Sequence, residues 1–270
     1  MILAIDIGNT NIKIGVFDKD VLKGSFRLSS VVKRTSDEYG VDILTQLHRL
    51  FEGKKAKEIV TGIILGSVNP NLNYTFVRMS EYYFGIQPLV VDTLCKSNID
   101  FGEYKNLGAD RIANCEGAFF YDALSCSQIV IDCGTATTFN CVVHGKFMGG
   151  AIMPGVNTAL DSLCTVAAML PQVPLQIPSK AIATTTMTNI QAGILFGHIG
   201  AIEYLVEKMK KEILDTRGAE CATKVIATGG LSELIATHSK VFDRIDRTLT
   251  LRGLCSLYQK NRVSKAQRNM

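Results

Sequence analysis

The chain has no long apolar run, no P-loop, no metal-type spacing of histidine or cysteine and no strongly one-signed charge, and each absence removes a class of function. No stretch reaches the ~20 consecutive apolar residues that a membrane helix needs. The richest, residues 191–206, is interrupted by His198 and Glu203 and reads as a buried helix. Asp6 breaks the apolar opening and no cationic segment precedes it, which argues against a secretory signal and for a cytoplasmic protein. The pattern GxxxxGK[ST] occurs nowhere, so a P-loop nucleotide site is excluded. A formal charge of +4 is mild, the basic residues are scattered rather than interleaved with aromatics, and no helix-turn-helix with a basic face is evident. Nucleic acid is therefore not an expected partner. The one basic run, Lys260, Arg262, Lys265 and Arg268, reads as a solvated, frayed tail. The eight cysteines (Cys95, Cys115, Cys126, Cys133, Cys141, Cys164, Cys221 and Cys255) show no paired spacing and sit mostly among apolar neighbours, as small core hydrophobes in a reducing compartment do. His48, His144, His198 and His238 form no HxxxH pattern, so no histidine metal site is expected.

What is present is enough apolar material, 47% of 270 residues, for one large core or two modest ones, with strands and helices in alternation. Residues 2–6 form a short buried-strand pattern ending in aspartate, a Gly8-Asn9-Thr10 turn follows, and Ile12, Ile14 and Val16 alternate as a second strand. A third strand is expected over 21–28, helices over 35–51 and 69–84, and strands over 59–65 and 88–91. A helix over 108–124 leads into a second passage built like the first. Residues 129–132 are again a strand ending in aspartate, Gly134-Thr135-Ala136-Thr137 turns, and strands follow over 139–143 and 146–153. Helices are expected over 154–168 and 186–211, and a strand over 224–227 runs into Thr228-Gly229-Gly230 and a further helix. Aligning Asp6 with Asp132 places Gly8 on Gly134, so the chain reads as a duplication. No linker rich in Pro, Gly or Ser separates the halves, which should share a continuous cleft.

A strand-ending aspartate followed by glycine and small hydroxyl residues suits phosphate binding, because side-chain-poor turns let backbone N–H groups converge on phosphate oxygens while the carboxylate holds a cation. Mg²⁺ favours one or two carboxylates together with phosphate oxygens. One D-x-G-x-T is weak evidence and reads first as a plain β-turn; two copies heading matching strand-turn-strand units favour a nucleotide site. The Gly pair at 229 and 230 allows close approach of a flat ligand such as adenosine, or is an ordinary strand-to-helix turn. Between the two turns lies Gly108-Ala109-Asp110-Arg111, where Asp110 can cap the following helix or accept a hydroxyl proton during phosphoryl transfer, and Arg111 can pair with a carboxylate or phosphate.

Taken together, Asp6-Ile-Gly-Asn-Thr10, Gly108-Ala-Asp-Arg111, Asp132-Cys-Gly-Thr-Ala-Thr137, Gly149-Gly-Ala-Ile-Met-Pro-Gly155 and Thr228-Gly-Gly230 resemble type III pantothenate kinase, in the superfamily of sugar kinases, actin and Hsp70 ATPases. The resemblance runs through essentially the whole chain. It implies two tandem ribonuclease-H-like (actin-like ATPase) α/β domains with mixed sheets flanked by helices, expected over 1–112 and 113–270, the second carrying a dimer interface. It also implies phosphorylation of the 4′-hydroxyl of pantothenate by ATP. In such enzymes the loop matching Asp6, Ile7, Gly8, Asn9, Thr10, Asn11, Ile12 and Lys13 binds ATP, as do the positions of Thr135, Gly229 and Gly230. The residue matching Asp110 is the proton acceptor, and Gly108, Ala109, Asp110, Arg111 and Thr186 match acceptor-binding positions. The resemblance further implies a monovalent cation, K⁺ or NH₄⁺, at Asp132, Mg²⁺ with the nucleotide near Asp6, and a homodimer. Where the family carries a tyrosine seven residues before the GxDR glycine and a proline three residues later, this chain has Phe101 and Tyr104. Phe101 therefore takes the place of a substrate contact, with Tyr104 as a neighbouring hydroxyl.

Overall fold

The structure, a computed structural model, describes residues 1–52, 55–121, 127–217 and 222–262. Cys126, Cys221, Lys265 and Arg268, and the last residues of the helix expected over 108–124, lie outside the described residues. The elements in chain order are β1 (Ile2–Ile7), β2 (Asn11–Asp18), β3 (Val21–Ser29), α1 (Ser36–Leu50), α2 (Ala56–Ile59), β4 (Gly62–Ser67), α3 (Pro70–Phe84), β5 (Leu89–Val90) and α4 (Ala109–Phe119). They continue with β6 (Ser127–Cys133), β7 (Ala136–Val143), β8 (Lys146–Pro154), α5 (Val156–Val166), α6 (Thr186–Arg217), β9 (Thr223–Thr228), α7 (Ser232–Ala236), β10 (Arg244–Ile245) and α8 (Leu249–Asn261).

Two compact units result, one from residues 1–121 with 248–270 and one from 122–247. A division at 112/113 would cut α4 in its middle, and it would part the first unit from α8, the helix that covers one face of its sheet. In the first unit the strand order is β3-β2-β1-β4-β5; in the second, read from the other edge, it is β8-β7-β6-β9-β10. In each, the first strand (β1 or β6) runs antiparallel to the next in sequence and parallel to the strand on its other side. Both sheets are mixed, as expected, and the repeat seen in the aspartate-glycine turns extends to the whole strand arrangement.

In the first unit Leu3, Ile5 and Ile7 of β1 pack with Tyr39, Ile43 and Leu47 of α1 and with Leu72, Phe76 and Met79 of α3. Helix α1 is started by a reciprocal capping box between Thr35 and Glu38. The opposite face of the sheet carries Gly15, Gly62 and Gly66 beside the larger Ile2, Phe17 and Ile64. Side chains from α8 fill the space above the glycines: a Cβ at Gly15 would lie 3.2 Å from Leu251, and one at Gly66 would lie 2.8 Å from Leu254. Helix α8 also crosses α4 at close range, and Thr250 donates to Asn114 at 2.7 Å in the buried contact. Helix α8 is thus a core helix that precedes the basic run; of that run Lys260 and Arg262 are exposed, and Lys260 donates to Asn98 at 2.8 Å. The strand expected from residue 59 starts later, because residues 56–59 form the turn α2. In the second unit Ile129, Ile131, Cys133 and Phe139 pack with Val156, Leu195, Ile199, Ile202 and Val206. The long helix α6 provides most of that cover. Among the described residues no helix is long and apolar enough to cross a membrane.

Candidate active site

In the first unit the site is built at the carboxyl ends of β1 and β4. Asp6 is buried, and its register partner on β2 is Lys13, whose Nζ stands 3.4 Å from Asp6 Oδ2. The turn between these residues is anchored by buried Ile7 and Ile12, while Asn9, Thr10 and Asn11 are exposed. It closes with the Gly8 N–H donating to the Asn11 carbonyl at 3.0 Å, and a Cβ on Gly8 would sit 2.9 Å from that oxygen, so only glycine fits unstrained. The N–H of Val68, just past β4, donates to the Ile7 carbonyl at 3.0 Å. The side chain of Val68 lies 3.5 Å from where a Gly108 Cβ would be. This chain of contacts brings Gly108-Ala109-Asp110-Arg111 beside the Asp6 turn within one unit.

Gly108, not Asp110, is the N-cap of α4, and its carbonyl accepts from the Ile112 N–H at 3.1 Å. Asp110 stands in the first turn, where the helix dipole favours an anion. Its Oδ1 accepts from the Arg111 N–H at 2.8 Å and occupies the room left by the missing Gly108 side chain, 2.5 Å from the position of a Cβ there. Asp110 and Arg111 are half-buried and Ala109 is buried. Upstream, Phe101 is buried and Tyr104 is exposed, tied by the Tyr104 N–H to the Phe101 carbonyl at 3.1 Å. The segment before Phe101 is fixed by a residue the sequence did not single out. The buried Glu116 carboxylate of α4 accepts from the Ser97 hydroxyl at 2.7 Å, from the Asn98 backbone and side chain at 2.8 Å each, and from Ser256 at 2.6 Å. A glutamate facing the core of a helix otherwise patterned as apolar was the signal that could have found it.

The second unit repeats the turn. The Gly134 N–H donates to the Ala136 carbonyl at 3.1 Å, and the exposed Thr135 has its carbonyl held by the Gly155 N–H at 3.0 Å and the Thr158 hydroxyl at 2.6 Å. Thr228-Gly229-Gly230 folds directly against this turn. Gly229 adopts φ +97°, and a Cβ there would lie 2.6 Å from Asp132 Oδ1, so both backbone and space require glycine. Gly230 faces open space. Asp132, Thr135, Gly229 and Gly230 are thereby brought together in this unit. Beneath them Thr137 shares a hydrogen bond of 3.0 Å with His198 of α6, and burial holds the His198 pKa below its ordinary value. Burial, with Asp132 adding to it, pushes the Cys133 thiol up to about 12. Thr186 opens α6 and is exposed, whereas the Thr185 and Thr188 hydroxyls are engaged with each other at 2.8 Å as a helix start.

The described residues assemble no group of three or more His, Cys, Asp or Glu for a metal ion. Oxygen ligands for a hard monovalent cation are another matter. Thr138 on β7 and Thr228 on β9 are the register partners of Asp132, and both hydroxyls are buried without a hydrogen-bond partner. Orphaned buried hydroxyls on either side of a carboxylate fit such an ion.

The fold is shared with solved structures of low sequence identity. A protein described as a Baf family transcriptional activator from Campylobacter jejuni superposes with a TM-score of 0.61 at 21% identity, covering 96% of this chain and 98% of that one. A protein described as a 2-dehydro-3-deoxygalactonokinase from Sinorhizobium meliloti gives 0.57 at 9% identity, covering 96% and 98%. The activator of 2-hydroxyisocaproyl-CoA dehydratase from Clostridium difficile, with bound ADPNP, gives 0.51 at 13% identity, covering 99% and 97%. The sequence profile of type III pantothenate kinase matches residues 2–208, which include both aspartate-glycine turns and the GxDR segment but not the Gly pair at 229 and 230. With most of its length matched, the chain belongs to the type III pantothenate kinase family, and is an ATP-dependent kinase.

Proposed function

We propose that the protein transfers the γ-phosphoryl group of ATP to the 4′-hydroxyl of pantothenate, giving ADP and 4′-phosphopantothenate, the first step of coenzyme A synthesis. The observation that carries this reading is the placement of Asp110 in the first turn of α4 beside the Asp6 turn, in a chain of this family. In it, residues 6–13 and Thr135 hold the phosphates through turn amides, and Gly229 and Gly230 lie against adenosine. Asp6 is the carboxylate for the Mg²⁺ that accompanies the nucleotide, and Asp132 serves a monovalent cation. Asp110 accepts the hydroxyl proton as the new P–O bond forms and the β–γ bridge breaks. The acceptor is bound by Gly108, Ala109, Arg111, Thr186 and the Phe101 region, and the working enzyme is a homodimer in the cytoplasm. Positioning and electrostatic compensation do most of the catalysis.

A specific observation favours testing a second acceptor. Phe101 has no hydroxyl where the family has tyrosine, and the hydroxyl at Tyr104 is exposed. The decisive experiment is product analysis with ATP, Mg²⁺ and K⁺, offering pantothenate beside sugars and polyols. Phosphate appearing on pantothenate alone is expected; phosphate appearing only on another acceptor would leave the kinase and replace its substrate. A non-catalytic transcriptional regulator, suggested by the name of the Campylobacter jejuni protein, would turn over no ATP with any acceptor and would retain DNA at physiological salt.

A further inference from the structure

The duplication permits a comparison of the two aspartates position by position. On β1, Asp6 has Lys13 opposite it on the antiparallel neighbour and Gly66 opposite it on the parallel neighbour. On β6, Asp132 has Thr138 and Thr228 at the same two places. Directly opposed residues on adjacent strands share a sheet face at roughly 4.5–5.5 Å, so each carboxylate stands in a three-residue row. In the first unit that row contains a tethered ammonium, 3.4 Å from the carboxylate. In the second unit the lysine position holds threonine and the glycine position holds threonine too. Thr228 is 0% exposed and Thr138 is 7% exposed, and neither hydroxyl has a hydrogen-bond partner. A buried hydroxyl without a partner is costly, so two of them, one on each side of a single carboxylate, mark a place kept for a ligand.

We infer that Thr138 and Thr228 complete the monovalent-cation site at Asp132, and that the bound ion stands where the Lys13 ammonium stands at Asp6. This rests on the cation role proposed above for Asp132. The donor set is one carboxylate oxygen and two neutral hydroxyl oxygens, which matches a single positive charge and hard-oxygen preference. Mg²⁺ demands near-ideal octahedral geometry and retains its waters, a poor fit to two buried hydroxyls fixed in a β-sheet. K⁺ and NH₄⁺ are close in size, and an ammonium group is what the first unit carries covalently. The side chains differ between the units, and the charge they present to the carboxylate is the same once the ion is bound.

The test is thermal melting of the full chain in KCl against choline chloride at equal ionic strength, which reads ion binding without turnover. The unsubstituted protein should melt higher in KCl, by on the order of 5 °C. Thr138→Val and Thr228→Val, each nearly isosteric, should lose at least half of that rise while melting no lower in choline chloride. Thr138→Lys should supply the ammonium from the chain and abolish the response to KCl. If both valine variants keep the full rise while Asp132→Asn loses it, the cation reading stands and this inference falls. No rise in the unsubstituted protein overturns both the site and its ligands. Failure of the pantothenate reading is separate, since it appears in product analysis and leaves the melting shift in place.

Discussion

At Asp110 the position of the carboxylate depends on a neighbour's missing side chain. Its Oδ1 occupies the space above Gly108, so Gly108→Ala must displace the carboxylate, and alanine is in addition disfavoured relative to glycine at an N-cap. Asp110→Asn should lower turnover by roughly 10²–10⁴ with the melting temperature unchanged, as expected for loss of a general base. Unaltered turnover in purified, folded Asp110→Asn would remove that residue from the reaction. His198 makes a pH prediction. Burial lowers its folded pKa below the ordinary ~6.5, so the unfolded chain binds the proton more readily. The stability this neutral histidine contributes is therefore present above about pH 6.5 and is lost as pH falls through that value toward the folded pKa. Melting temperatures followed from pH 7.5 to 5.5 should drop more steeply in the unsubstituted protein than in His198→Gln; parallel curves would contradict it.

At the scale of elements, a helix position at a close crossing and one on an open helix face respond oppositely to the same substitution. A Cβ on Gly253 of α8 would run into the Ala113 carbonyl of α4, whereas one on Gly193 of α6 meets nothing within 4 Å. Gly253→Ala should destabilise by about 2 kcal/mol or more through displaced backbone, and Gly193→Ala should be neutral or stabilise by up to ~1 kcal/mol by restricting the unfolded chain. Denaturant unfolding of the two variants measures both; equal destabilisation would refute the crossing. These elements also show what the sequence could convey. Helix α1 was legible to its caps because Thr35 and Glu38 satisfy its first amides locally, and the β1 and β6 turns were legible because aspartate-glycine spacing is a local constraint. Helix α8 was not among the expected elements although Leu251, Leu254 and Leu257 carry helical spacing. Its contacts to Gly15 and Gly66 join residues some two hundred positions apart, and no local pattern reports them. Asp6, Asp110 and Asp132 were singled out by motif order. Thr138, Thr228 and Glu116 were not, because their meaning comes from strand register and from donors on a separate segment.

At the scale of the whole molecule, the duplicated sheets differ in how chain order serves them. The second unit is continuous over 122–247, whereas the first takes its last helix from the far end of the sequence. Leu249, Leu251, Leu254 and Leu257 are each at most 3% exposed. At about 1.5–3 kcal/mol per fully buried leucine they account for as much as ~6–12 kcal/mol, comparable to the ~5–15 kcal/mol that holds a whole domain folded. Without α8 the face of the first sheet that carries Asp6, Gly15 and Gly66 would be open to water. A chain ending at Arg247 should therefore lose protection from hydrogen exchange in β1, β2 and β4 while β6, β7 and β9, whose other face packs on α5 and α6, exchange much more slowly. Slow exchange persisting at the amides of β1 in the shortened chain would show that the first unit closes its core without its C-terminal helix, and that the crossing of α4 and α8 decorates the fold rather than completing it.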